Sequence, residues 1–445
     1  MKTDFFSEKK YINAYLVCAF LFLLVGLFQS WNVAFSILNL CLISAIMSIG
    51  INIQWGNSGI VNFGVMGFAA IGGLCGVLIS MPPTLEVWKD GTAVILIILF
   101  SFLISGILVK KFLKKFIYNK YLKILLSIII ILFSLYLIKS IFIPSINFIE
   151  NTNSAKTGYI GGLNLPIIFS WPIAGLFCGV IAFLIGKIAL GLRSDYLAIA
   201  TLGISEIIIY IIKNEEWLAR GVKNVNGLPR PVPYEIDLQK NEFIQTLSNT
   251  LNLSVIELSS LIVKGLYSIL FILVLLIIFF LLQKAIKSPW GRMMRAVRDN
   301  EISAEAMGIN VKKRHLQVFI IGSAIIGISG AMLTTLDGQF TPSSYQPLRY
   351  TFLIWIMVII GGSGNNHGAI IGGFAIWFFW IQAEPIGIFL IELITIFLSD
   401  QNEMKLYLLN HAAYMRLLLM GLVLILALRF FPKGIIEEEK RLWIN

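Results

Sequence analysis

Charge is what this sequence has least of. Only 13% of its 445 residues are Asp, Glu, Lys or Arg, roughly half the share of a soluble domain, while 58% are hydrophobic. Cysteine is nearly as scarce. Cys18, Cys41, Cys75 and Cys178 all fall in apolar segments and form no CxxC pair, which excludes a sulfur metal site or a redox motif. The three histidines, His315, His367 and His411, are scattered and make no HExxH. No GxxxxGK[ST] occurs. Gly186-Lys187 lies inside an apolar run and lacks both the spacing and the Ser/Thr, so the chain carries no phosphate cradle. With no triad-like or zinc-like cluster either, a membrane-embedded enzyme has nothing to work with.

Apolar runs are what the sequence has instead. A bilayer core of ~30 Å takes roughly 20 apolar residues per helical crossing. Runs of about that length occupy 11–29, 33–54, 92–109, 124–143, 170–190, 196–213, 264–283, 316–336 and 413–431. Two further stretches, 57–80 and 351–382, are apolar but interrupted by glycine, and 384–400 is ambiguous. The pattern predicts an all-α, polytopic transmembrane helical bundle with about 10–12 membrane segments. The first run follows Lys9 and Lys10 but leads into FQSWN, with no small-residue cleavage site, and is expected to be a retained helix. Residues 1–32 then form an N-terminal transmembrane helix, 33–435 the main domain and 436–445 a tail.

The net charge of +11 would suit nucleic acid, but its placement suits lipid. The stretch 110–123, KKFLKKFIYNKYLK, has six lysines and no acid, and residues 284–314 hold eight Lys or Arg against three acids. Residues 214–262 have four basic and six acidic side chains. Basic loops face the cytoplasm, which puts 110–123, 284–315 and both termini inside and 214–262 outside. Trp31, Trp55, Trp88, Trp171 and Trp217 sit near run ends, where an aromatic belt is expected. The outer stretch 219–236 has turn chemistry, with Asn-Gly at 226–227 and prolines at 229, 231 and 233. It is either a plain connector or a docking surface for a soluble partner.

The glycine-interrupted segments, WGNSGIVNFGVMGFAAIGGLCG (55–76) and IIGGSGNNHGAIIGGFA (359–375), allow two readings. Gly72/Gly76 and Gly368/Gly372 have the GxxxG spacing of close helix packing. Alternatively the segments are broken helices near the midplane, whose free backbone groups line a polar path. That path would include Asn57, Asn62, Gly64, Gly361, Gly362, Gly364 and Asn365, beside Asn366. Glu206, in mid-run, with Gly203 on the same helical face, is a further candidate: a carboxylate there costs a few kcal/mol or more unless it faces a cavity or a partner helix. A position nearer the interface is the plainer reading of Glu206.

One charged island interrupts the oil: RMMRAVRDNEISAEAMGINVKKRH, 292–315. Arg292, Arg295 and Arg298, three apart, read as one basic ridge, with Asp299, Glu301 and Glu305 elsewhere on the surface. Met293, Met294, Val297 and Met307 would supply apolar contacts, and small Ala304 and Ala306 precede Gly308, a helix stop. Such a helix fits a protein groove, or else simply lies on lipid.

This island, from Ser288 to Leu316, resembles the cytoplasmic coupling loop of ABC-importer permeases, with AEAMG (304–308) in the place of the family's Glu-Ala-Ala…Gly motif. Together with NFGVMGFAAIGG (62–73), YLAIATLGISEII (196–208), NVNGLPRP (224–231), VIIGGSGNNHGAIIGG (358–373) and the closing 415–435, the chain is similar to the M-type permease of branched-chain amino acid importers over most of 33–435. It departs from the family at Val65, where many relatives carry His, and in the longer 110–157 and 384–412 regions.

The resemblance implies a subunit of the bacterial inner membrane that works with a second, H-type permease, two ABC ATPases and a soluble extracytoplasmic binding protein. ATP and magnesium would bind in those ATPases, and this chain would hold no cofactor. Residues 291–309 would form the coupling helix, with Arg292, Arg295, Arg298, Asp299, Glu301, Ala304, Glu305, Ala306 and Gly308 as candidate contacts. The cargo would be a branched-chain or other small amino acid, with urea, a short amide or another small polar solute as the alternative within the family. An ion-coupled secondary transporter is the competing class, for which one intramembrane carboxylate is thin support.

Overall fold

The computed structural model describes residues 2–88, 143–152, 158–397 and 402–438, together with positions 129 and 139. Twelve helices organise this part of the chain. They are α1 (Lys2–Phe28), α2 (Trp31–Ile51), α3 (Val65–Ser80), α4 (Ser170–Ala189), α5 (Ser194–Asn214), α6 (Val255–Lys287), α7 (Pro289–Asp299), α8 (Glu301–Ala306), α9 (Val311–Asp337), α10 (Pro347–Gly361), α11 (Asn366–Ile394) and α12 (Met415–Phe430). Shorter turns and helices join them, and the strand content described is one two-residue pair, Val225–Asn226 against Gln339–Phe340. Among the described residues, eight helical segments are long and apolar enough to cross a membrane, and α3 and α10 are shorter apolar helices. The fold is an all-α polytopic membrane bundle. The lysine-rich stretch 110–123 and the runs 92–109 and 124–143 lie outside the described residues, save positions 129, 139 and 143.

Glycine decides where the helices cross. α9 is the centre, and its small residues let α2, α3 and α4 approach to backbone contact. A Cβ on Gly72 would collide with the carbonyl of Gly327, one on Gly330 with that of Ala69, and one on Gly322 with Gln54 and Gly50. Gly368 and Gly372 of α11 press in the same way on Gly361 and Met357 of α10. The pair Gly368/Gly372 is therefore a packing surface, and so is Gly72, whereas a Cβ on Gly76 would make only ordinary contact with Thr334. Trp171, expected in an aromatic belt, is instead 5% exposed in the core, where its indole Nε1 donates to Thr335 Oγ1 at 3.0 Å. It sits at a run end in the sequence, yet α9 covers it.

Capping fixes the helix ends. Ser254 and Glu257 form a reciprocal capping box at the start of α6, whose last turn carries Lys284 and Lys287 against the negative end of the helix dipole. α11 runs unbroken past Pro385 to Ile394, so the ambiguous stretch after 382 continues the same helix as far as Ile394. α1 is joined to α11 near both ends. Tyr11 stacks on His367 at 4.6 Å and Tyr15 meets the same ring at 3.1 Å, while Gln29 donates to Gln382 at 2.8 Å. Helices α7 and α8 gather at one end of the bundle with the start of α9, a basic end, and the 214–254 segment lies at the other.

Candidate functional site: a broken crossing under a charged helix pair

α2 does not end cleanly. It widens into a π turn, Asn52–Gly56, and residues 57–64 then run without helix before α3 begins at Val65. The sequence carries the cause, since WGNSGIVNFG offers two asparagines and three glycines where a helix needs side chains with good propensity. The stretch passes between α5, α9 and α10, and its backbone must be satisfied there by protein. Phe63 N donates to Thr201 Oγ1 at 2.9 Å, Trp355 Nε1 to the Asn62 carbonyl at 3.1 Å, and Ile60 N to the Gln54 carbonyl at 2.9 Å.

The amides of this stretch brace it internally. Asn62 donates to Gln54 Oε1 at 2.9 Å and accepts from Gly64 N at 2.8 Å. Gln54 in turn donates to the Phe319 carbonyl at 3.0 Å and to Ser323 Oγ at 3.2 Å, which ties α2 to α9. Asn57 donates to the Asn52 carbonyl at 3.2 Å. Asn52 bridges to the second glycine loop, accepting from Gly364 N at 2.8 Å and donating to Asn366 Oδ1 at 3.0 Å. A hollow beside Gly64, lined by Phe68, Thr201, Ser205 and Phe319, is too tight for a water molecule.

Of the candidate pathway residues, Asn57, Asn62 and Gly64 are packed inside protein, with Asn62 fully buried. Gly361, Gly362, Gly364 and Asn365 form the turn between α10 and α11. Gly362 and Gly364 have φ of 114° and 84°, which only glycine adopts readily. Asn365 caps α11, accepting from His367 N at 2.9 Å. Gly203 and Glu206 stand apart from this network. They lie with Tyr196, Ile199 and Tyr210 on one exposed stripe of α5, and a Cβ on Gly203 would meet nothing within 4 Å.

Replacing Gln54 by Leu should leave the Asn62 amide and the Ser323 hydroxyl without these partners together. Each buried group left without a partner costs about 1–3 kcal/mol. The unfolding free energy in mixed micelles should fall by that sum, and an unchanged value would show that neither bond matters.

The charged island is two helices, α7 and α8, at right register for one compact knuckle. Pro289 at the first position of α7 and Asn300 as the cap of α8, accepting from Ser303 N at 2.9 Å, set the break. Gly308, with φ of 85°, ends α8, and Asn310 caps α9 by accepting from Lys313 N at 2.9 Å. Val297, Ala304 and Val311 pack together inside the knuckle, so Ala304 faces the chain's own core and is no free contact.

The arginines do not make one ridge. Arg292 is exposed and Arg295 half-buried, whereas Arg298 turns inward. Its Nη1 donates to the Gly56 carbonyl at 2.5 Å and to Glu438 Oε1 at 3.0 Å, and its Nε to Asp299 Oδ1 at 3.1 Å. Burial works against its charge, but the hydrogen bonds and charges of Glu438 and Asp299 outweigh that and raise its pKa above the ordinary value. Glu301 lies 3.7 Å from His315 Nε2. Glu305, Ala306 and Gly308 are exposed, and beside them stand two apolar side chains, Ile302 at 83% and Met307 at 85% exposure. Ile302 is a feature that charge patterning missed. Its signal was its place on α8, two residues and so about 160° around the helix from the inward-packed Ala304.

A family model described as branched-chain amino acid transport system / permease component matches residues 148–428, well over half of the chain. The chain belongs to this family. Among curated relatives it is similar to the high-affinity branched-chain amino acid transport system permease protein LivM of Escherichia coli (strain K12), at 29% identity over 203 residues, 45% of this chain and 47% of that one. The probable branched-chain amino acid transport permease protein LivM of Methanocaldococcus jannaschii is 24% identical over 288 residues, covering 61% and 72%. The probable permease protein LivH of the same organism is 26% identical over 217 residues, covering 48% and 60%. The match thus spans about half the length of the E. coli relative. No solved structure matches the chain.

Proposed function

We propose that this chain is the M-type permease subunit of an ATP-driven importer for a branched-chain or other small amino acid. One observation carries the reading: the α7–α8 knuckle presents Ile302 and Met307 outward while Arg298 anchors it to the end of the broken crossing at Gly56. A surface handle joined to the membrane core is what a chain without its own phosphate cradle needs to receive work from a separate ATPase. ATP and magnesium would bind in two such ATPase subunits beneath it. The basic end, rich in Lys and Arg around 284–315, would be cytoplasmic by the positive-inside rule, with both termini on that side of the bacterial inner membrane.

The exposed stripe of α5 supports a second permease subunit. A mid-helix carboxylate facing lipid costs several kcal/mol, so Glu206 belongs against protein or water. Covering the stripe with a partner of the H type, with α10 alongside offering Leu348 and Phe352, would put Gly203 and Glu206 at a pathway between subunits. The acidic, proline-braced 214–262 segment would receive a soluble binding protein that does most of the substrate selection. The amino acid class is carried over from the relatives' names, and urea or a short amide is the outcome that would revise it.

Reconstitution of the chain with the subunits that co-purify with it tests the reading. ATP-dependent uptake of leucine, isoleucine or valine is expected, and Glu206→Gln should lower it about tenfold while the complex still assembles, equivalent to ~1.4 kcal/mol. Uptake by this chain alone on an ion gradient would overturn the assignment.

A further inference from the structure

The C-terminal segment 434–438 crosses the basic end and makes contacts that the coupling reading does not use. Gly434, at φ 82°, turns the chain down against Gly362. Ile435 N then donates to the Ile360 carbonyl at 2.8 Å and Ile436 N to the Gly361 carbonyl at 3.0 Å. These carbonyls sit in the last turn of α10, where a helix leaves acceptors without internal partners. Ile436 itself is buried at 1% exposure. Asn365, the cap of α11, donates from Nδ2 to the Glu437 carbonyl at 3.2 Å, so one side chain holds both the segment and the start of α11. The segment ends on Glu438, which lies against Gly364 and accepts from Arg298 of α7.

We infer that residues 434–438 form a strap that carries displacement of the α7–α8 pair into the glycine turn between α10 and α11, with Arg298 as its pin and Glu438 as the seat of that pin. This rests on the permease reading, and it deepens it: Arg298 acts inside the chain instead of touching an ATPase. The physical case is one of stiffness. Two backbone hydrogen bonds and an amide clamp fix the strap to both sides of the turn, and a charge-assisted pair fixes it to α7. The side chains of Arg298 and Glu438 are 22% and 29% exposed, so solvent screens the pair only in part. Through the same guanidinium, α7 also holds the Gly56 carbonyl, so both broken crossings move with one residue. A loop fastened only by its covalent ends would absorb such a displacement.

Two variants test the strap. Glu438→Gln keeps shape and an acceptor but removes the charge, and Ile435→Pro removes the donor to Ile360 while leaving buried Ile436 in place. In the purified chain, hydrogen exchange at the Ile436 amide should be slow, and Glu438→Gln should speed it about tenfold by loosening a charge-assisted bond. Unchanged exchange in both variants would overturn the strap. In the reconstituted importer, ATP hydrolysed per solute imported should rise about fivefold or more in both, the scale of an ordinary coupling energy. A lower thermal midpoint with the ratio unchanged would make the segment a mere anchor and overturn its transmitting role. A wild-type assembly without ATP-dependent uptake would overturn the permease reading and the transmitting role with it, while the exchange experiment would still decide whether the strap exists.

Discussion

Gly72→Leu should abolish the folded chain. Even the first carbon of the new side chain would lie inside the van der Waals shell of the Gly327 carbonyl, and the obstacle is helix backbone that cannot rotate aside. Overpacking of a core typically costs about 1–3 kcal/mol when neighbours can shift. Here α3 would have to leave α9, giving up the adjacent contact of Ala69 with Gly330 as well, so the cost should exceed that range. The measurement is the monodisperse fraction in detergent and its thermal midpoint. Gly421→Leu is the matched control, since a Cβ there meets nothing within 4 Å and leucine favours helix over glycine by most of a kcal/mol. The control should purify like the parent. If both variants behave alike, the crossing of α3 and α9 is not set by glycine.

That contrast between two glycines also marks how far the sequence can be read. The crossings were legible because length and hydropathy alone decide them: 170–190 and 316–336 reappear as α4 and as most of α9. The breaks were legible too, because asparagine and glycine crowd at 55–64 and 361–366, where helix propensity fails. What those asparagines do was not. An amide in a broken helix can line water or brace protein with the same atoms, and the bracing of Gln54, and through it of Asn62, depends on Phe319 and Ser323 of α9, 265 and 269 residues later in the chain. The glycines divide by the same rule. Gly72 and Gly203 look alike in sequence, yet one meets a backbone and the other open space.

The arginine ridge failed for a reason contained in helix geometry. Residues three apart fall about 60° short of a full turn, so Arg298 lies about 120° around α7 from Arg292. The first can face solvent while the last faces Gly56, and a strict three-residue spacing over two turns is a spiral instead of a face. The acceptor that rewards the inward turn, Glu438, is 140 residues away in sequence and carries no local signature. By contrast, the capped break at Asn300 and the stop at Gly308 follow from side-chain chemistry next to the backbone they satisfy.

Ile302→Asp with Met307→Asp should disconnect transport from ATP hydrolysis. Neither residue is covered by its own chain, so each substitution should leave the thermal midpoint nearly unmoved, within the ~0.5 kcal/mol usual for exposed sites. If the knuckle seats in a groove of an ATPase, these two side chains are its apolar anchors, and truncating or charging an anchor at the centre of an interface costs about 2 kcal/mol or more. Two such losses would weaken binding of the ATPase by roughly a thousandfold, at 1.4 kcal/mol per factor of ten. Retention of the ATPase by the tagged permease and ATP-driven uptake in vesicles should fail together. The sign of the new charge separates a protein groove from a lipid surface. Anionic headgroups tolerate Lys in place of Ile302 and Met307 but reject Asp, whereas an apolar protein groove rejects both. Equal failure of the Lys and Asp pairs is the expected result; survival of the Lys pair would place the knuckle on lipid, and survival of both would remove it from the coupling path.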